Sequence, residues 1–200
     1  MTKIELPREV RFGGLSVGRA IEQRRSERDF LDRPLSLLEL SQLLHYSYGI
    51  TEERERLRAA PSAGALYPIE IYPVVNNVED LTRGVYHYSV GDHSLEMVRQ
   101  GDFRTDMVRY ALDQEMMATA AVVLVLSAVV GRSQWRYRER AYRYVLLEAG
   151  HISQNIYLVA TALGLGTCAV GAFHDQGYDR IIGIDGEKEG VVYLMPVGRI

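Results

Sequence analysis

From residue 134 to residue 163 the apolar positions keep a helical step, and beyond them the period changes. Val145, Ala149, Ile152, Ile156, Val159 and Leu163 recur every three or four residues, so they line one helical face. Tyr144, Leu147, His151, Leu158 and Ala162 form a second row, and a helix apolar on two faces needs cover on both. The stretch holds no proline, and Gly150 is its only glycine. The pattern therefore predicts one helix, spanning ~45 Å at 1.5 Å per residue. It ends at Gly164 or Gly166, either of which suits a left-handed C-cap. Residues 167–173 (TCAVGAF) then read as a short buried strand.

The rest of the chain is arranged around that pair. Residues 16–23 predict a short helix with Ser16 as N-cap. Over 36–48, Leu37, Leu40, Leu43 and Leu44 share a face, Ser36 and Glu39 have capping-box spacing, and Gly49 ends the helix. Residues 51–58 (TEERERLR) read either as a solvated helical turn or as a loop. Strands are expected at 69–75, in a hairpin of 84–88 and 94–99 about a turn at 90–93, and at 191–197. The continuous apolar run 121–130 predicts a strand buried on both faces. Helices are expected at 103–112 and near 178–182. The resulting class is α+β: a mixed or antiparallel central sheet packed by helices around one long central helix, with residues 1–200 as one domain.

Composition narrows the functional classes. Of 200 residues, 47% are hydrophobic and 24% charged, and the net charge is −3, which suits a soluble globular protein and advertises neither nucleic acid nor an acidic membrane. A single cysteine, Cys168, excludes an internal disulfide framework and a cysteine-based zinc site. The N-terminal residues lack the apolar run of a signal peptide, so a cytoplasmic location is expected. The five histidines show no metal-ligand spacing, so no metal is expected. The glycines of GLGTCAVG close a helix and open a strand, whereas a dinucleotide loop must do the reverse.

Two stretches carry candidate chemistry. In an extended chain Arg24, Ser26 and Arg28 point the same way, so two guanidinium groups and a hydroxyl converge as a phosphate would require; the alternative is a solvated charge run. Residues 61–68 (PSAGALYP) place small side chains where a partner could approach the backbone closely, or else form a plain loop.

Together the segments RRSERDF, LSLLELSQLLHYSYGI, APSAGALYPIEIY, YRYVLLEAGHISQNIYLVATALGLGT, AVGAF and PVGR resemble, in order, the nitroreductase-like FMN flavoproteins. They are most similar to the SagB-type dehydrogenases, which oxidise peptide thiazolines and oxazolines to azoles. The resemblance implies an intertwined homodimer with two FMN sites at its interface. It assigns the flavin phosphate to Arg24, Arg25, Ser26, Arg28 and Arg199. It sets Ser62, Ala63 and Gly64 of the partner subunit against the isoalloxazine, and the backbone of Val170, Gly171 and Ala172 near flavin N5.

One departure bears on activity. Azoline-oxidising members carry a Lys-Tyr pair early in the long helix, with the lysine as base; here the pair is Arg136-Tyr137. An arginine stays protonated at neutral pH and is a poor base. The expectation is a broader oxidoreductase: ping-pong transfer from NAD(P)H through FMN to a flat nitroaromatic or quinone. Azoline dehydrogenation and a non-catalytic flavin-binding scaffold stand as the alternatives.

Overall fold

The structure, a computed structural model, describes residues 3–8 and 14–200. Side-chain caps fix where the first helices begin. Ser16 caps α1 (Val17–Gln23) by accepting the Arg19 amide. Ser36 caps α2 (Leu37–Tyr48): its hydroxyl accepts the Glu39 amide at 3.2 Å, and its own amide donates to the Glu39 carboxylate at 2.8 Å. Both halves of the capping box are thus made.

The strands are β1 (Lys3–Glu5), β2 (Ile50–Glu52), β3 (Leu57–Arg58), β4 (Ile69–Val75), β5 (Gly84–Ser89), β6 (Ser94–Gln100), β7 (Val122–Ala128), β8 (Leu165–Thr167) and β9 (Gly190–Arg199). Seven of them form one sheet in the order β1-β6-β5-β4-β7-β9-β8, and every pairing in it is antiparallel. The remaining helices are α3 (Arg104–Tyr110), α4 (Met116–Thr119), α5 (Gly131–Tyr137), α6 (Ala141–Ala162) and α7 (Asp175–Ile182).

The period-2 geometry of β7 separates two cores. Val122, Leu124 and Leu126 face one that contains Leu40, Leu43, Val145, Ile152 and Ile156, from α2 and α6. Val123 and Val125 face the other, with Met107, Met117, Tyr178 and Ile181. The α+β class therefore takes a three-layer form, which explains why β7 reads as an unbroken apolar run although its neighbours are antiparallel.

Three expectations are corrected. The stretch 134–163 is not one helix. It breaks at Arg138, whose backbone sits at φ 50° and ψ −128°, between α5 and a 3-10 turn that leads into α6. The break lets the Tyr137 ring meet Tyr144 at 4.9 Å; an unbroken helix would put ~10.5 Å of axis between positions seven apart. The strand expected at 167–173 is β8, displaced toward the N-terminus. Leu165 to Thr167 pair with Arg199 to Val197, and Val170 pairs with Leu194 in the same register. The ladder lapses between them because Pro196, opposite Cys168, has no N–H to donate. The charged stretch 51–58 forms the hairpin β2–β3 and neither of the two forms expected.

The two rows of the long helix meet different fates. Val145, Ala149, Ile152, Ile156 and Val159 are buried, but Leu147 is 54% exposed and its neighbours Leu146 and Tyr142 are 43% and 59% exposed. One apolar face of α6 lacks cover among the described residues. Among the described residues no helix is long and apolar enough to cross a membrane.

Candidate functional site

The candidate residues gather into two groups at opposite sides of α6. In the first, α1 ends at Gln23 and Arg24 turns the chain to extended geometry, φ −50° and ψ 125°. The following residues run along the sheet margin: the Glu27 amide donates to Thr167 O and the Leu31 amide to Arg199 O, both at 2.9 Å. The Arg24 guanidinium lies over the Tyr157 ring, 5.0 Å from its centroid. Ser26 Oγ lies 2.9 Å from Tyr157 Oη, which also accepts the Ala169 amide at 2.8 Å. One buried phenol on α6 therefore ties the arginine–serine stretch to the segment that precedes Val170.

That segment is open. Val170 is buried and bridged to Leu194, while Gly171 and Ala172 are exposed. A Cβ built on Gly171 would meet nothing nearer than Tyr193 at 3.8 Å, so the backbone there is approachable. Arg28 is exposed. Arg25 curls back onto its own chain, donating to Glu22 O and Arg24 O at 2.9 and 2.7 Å. Arg199 donates to the Glu39 carboxylate at 2.8 Å and to Pro34 O at 3.3 Å, so the carboxylate of the capping box also holds the end of β9. Arg24 and Ser26 thus meet at the Tyr157 ring beside an exposed backbone segment, with the exposed Arg28 two residues further along the same stretch.

The second group surrounds the loop before β4. Gly64 is left-handed (φ 63°), and a Cβ there would lie 2.7 Å from Tyr137 Oη and 2.9 Å from Arg136 Nη1. The small-residue loop thus abuts both residues of the candidate catalytic pair. Behind it stands Glu148, 2% exposed, whose carboxylate accepts the Tyr48 hydroxyl at 2.7 Å and is also bonded by Ser62. Burial pushes the Glu148 carboxyl up from the ordinary range, opposed by those two hydroxyls and the Arg58 charge. Burial pushes the Tyr48 phenol up as well, helped by Glu148.

Residues 148 and 157 are nine positions apart, about two and a half turns and ~13.5 Å along the axis. The structure therefore brings Arg24 and Ser26 to Tyr157 beside the segment that leads into residues 170–172, and sets Ser62, Ala63 and Gly64 against Arg136 and Tyr137, while the Arg199 side chain turns to Glu39 and Pro34. It does not join the two groups within one chain. Tyr157 and Glu148 escaped the sequence reading. For Glu148 a signal existed: a lone acid on the buried stripe between Val145 and Ile152. Tyr157 gave none beyond an aromatic in an apolar helix.

Comparison with known proteins agrees with this architecture. The family model described as Nitroreductase family matches residues 21–199. The nitroreductase-named protein MJ1384 of Methanocaldococcus jannaschii is 44% identical over 177 residues, covering 88% of this chain and 87% of that protein. The microcin B17-processing protein McbC of Escherichia coli is 30% identical over 78% of this chain, which spans 60% of McbC. The crystal structure of a nitroreductase-named protein from Ralstonia eutropha superposes with a TM-score of 0.86 at 28% identity, over 98% of this chain and 89% of that one.

Proposed function

The chain belongs to the nitroreductase family, and from that premise we propose that it is an FMN-dependent oxidoreductase acting as a homodimer. The observation that carries the reading is the bridge through Tyr157, which sets the Arg24–Ser26 donors and the open 170–172 backbone on one scaffold. Arg24, Ser26 and Arg28 would hold the phosphate, with Arg25 and Arg199 alongside, and residues 170–172 would border the ring edge. The Ser62–Gly64 loop of a second copy would cover the ring face, which accounts for two groups that stay apart within one chain. FMN held there would supply the hydride chemistry of a ping-pong cycle between NAD(P)H as donor and a second substrate as acceptor.

For the acceptor, Arg136 decides between two chemistries. Azoline oxidation must remove a carbon-bound proton as hydride leaves, and that step needs a base with a pKa near the operating pH. A guanidinium does not supply one. A nitroaromatic or quinone takes its protons from solvent and needs no such base. The likeness to McbC favours azoline oxidation as a second reading.

Purified protein should be yellow and release FMN on denaturation, and should consume NADH or NADPH with a simple quinone. Wild type and Arg136→Lys, compared on a thiazoline peptide and on the quinone, separate the readings. Equal thiazoline oxidation by both would refute the argument from Arg136. Protein that cannot be reconstituted with FMN would overturn the assignment as a whole.

A further inference from the structure

The loop between β3 and β4 adopts a shape its own sequence resists. Gly64, Ala65 and Tyr67 all have left-handed backbones, φ 63°, 53° and 46°, and for the two residues with a Cβ this conformation is unfavourable. Such a shape persists only where the surroundings over-determine it. Here they do. The Tyr67 amide donates to Ser62 Oγ at 2.9 Å, and the Ala65 amide to Ser62 O at 3.1 Å. Ser62 thus receives both loop amides and has one hydroxyl proton left to give. Glu148 is bonded by that hydroxyl and by Tyr48. Arg58 lies 4.4 Å from the centroids of both the Tyr48 and Tyr67 rings, and its amide donates to Tyr67 Oη at 3.2 Å. Asn155 donates to Ser47 O and Ala59 O, at 3.3 and 3.5 Å, and holds the base of the loop on the same helix.

We propose that Glu148 is a positioning residue, whose buried carboxylate gathers the Ser62 and Tyr48 hydroxyls and so holds the 62–67 loop in its strained shape. A buried carboxylate is costly unless its oxygens are met by donors, and both donors here come from the elements that must be locked together, α2 and the loop. The consequence for the cofactor rests on the flavin reading above: the loop is the surface against which the ring of a second copy's cofactor would lie. Glu148 touches neither ring nor substrate and acts through Ser62.

Hydrogen exchange in the apo-protein tests the lock itself. In Glu148→Gln the amides of Ala65 and Tyr67 should exchange about tenfold faster, because the carboxylate that orients Ser62 is gone, while β7 amides keep their protection. In the Glu148→Gln/Ser62→Ala double variant the increments should not add, since both break one contact. Glu148→Asp, a methylene shorter with its charge kept, should reproduce the faster exchange and serves equally if the glutamine variant does not fold. Unchanged exchange at Ala65 and Tyr67, or additive increments, overturns the proposal. A second arm adds FMN. Glu148→Gln should alter the visible circular dichroism of the bound flavin, whereas Arg28→Ala should weaken retention and leave that signal unchanged. If wild type takes up no FMN, the flavin reading fails while the exchange arm still judges Glu148.

Discussion

Tyr157 serves two neighbours with one phenolic oxygen: Ser26 at 2.9 Å and the Ala169 amide at 2.8 Å. Phenylalanine in its place keeps the ring under Arg24 and removes both bonds. Each is worth about 0.5–1.5 kcal/mol, so Tyr157→Phe should weaken FMN binding about tenfold with the fold retained, as read by fluorescence titration of released flavin. A second residue-scale prediction concerns His93, whose Nε2 meets Ser41 Oγ and whose Nδ1 meets Tyr88 Oη, both at 2.8 Å. Burial pushes its pKa down to about 4, with Arg8 and His45 lowering it further against the Pro7 carbonyl and Glu5. The fold thus favours neutral imidazole. Its contribution is complete above the unfolded pKa near 6.5 and is lost as pH falls toward 4, a swing of at most about 3 kcal/mol. Glu148 has the opposite sign. Burial raises its folded pKa, so its contribution is complete below the ordinary carboxylate range and fades as pH rises through the raised value. Urea denaturation at pH 7 and pH 4.5 should therefore show that acidification costs His93→Gln less stability than it costs wild type.

At the scale of elements, the break between α5 and α6 is a defect that sequence repair should improve. Arg138 holds φ 50° with a Cβ, and Arg138→Gly should relieve about 1 kcal/mol and raise the melting temperature, seen by calorimetry. Nothing in QWRYRERAY announced that break, because every residue in it tolerates a helix; the contact that requires it, Tyr137 on Tyr144, exists only after folding. Elements whose signals are local were legible: the Ser36–Glu39 capping box, the apolar run of β7, the leucine face of α2. The β2–β3 hairpin was not, since residues 51–57 are exposed and carry no apolar alternation, and backbone pairing of Ile50 with Arg58 and of Glu52 with Leu57 defines it. The candidate site divides the same way. The Arg24–Arg28 stretch and the small-residue loop carry their chemistry in adjacent residues. The roles of Tyr157 and Glu148 depend on which side of a helix meets which distant loop.

For the whole molecule, the exposed row of α6 is where a second copy should dock. Leu147, at 54% exposure, tests this. Leu147→Asp should leave the folded chain intact yet sediment as a monomer, and it should lose FMN together with the dimer because each site of the proposed dimer draws on both copies. Ala149 and Ile156, buried at 3% and 0% against the chain's own core, would disrupt the protomer and cannot isolate the interface. One feature of the sheet also sets an order of events during synthesis. β9 is the last strand of the chain, yet it lies inside the sheet between β7 and β8, pairs with Val170 and Leu31, and ends at Arg199. On the ribosome, β7 and α6 emerge with a vacant lane beside them, and Ala169–Ala172 and Arg24–Leu31 have no edge on which to settle. The proposed cofactor site would therefore assemble only once residue 199 has left the tunnel, and flavin capture should wait on the arrival of β9.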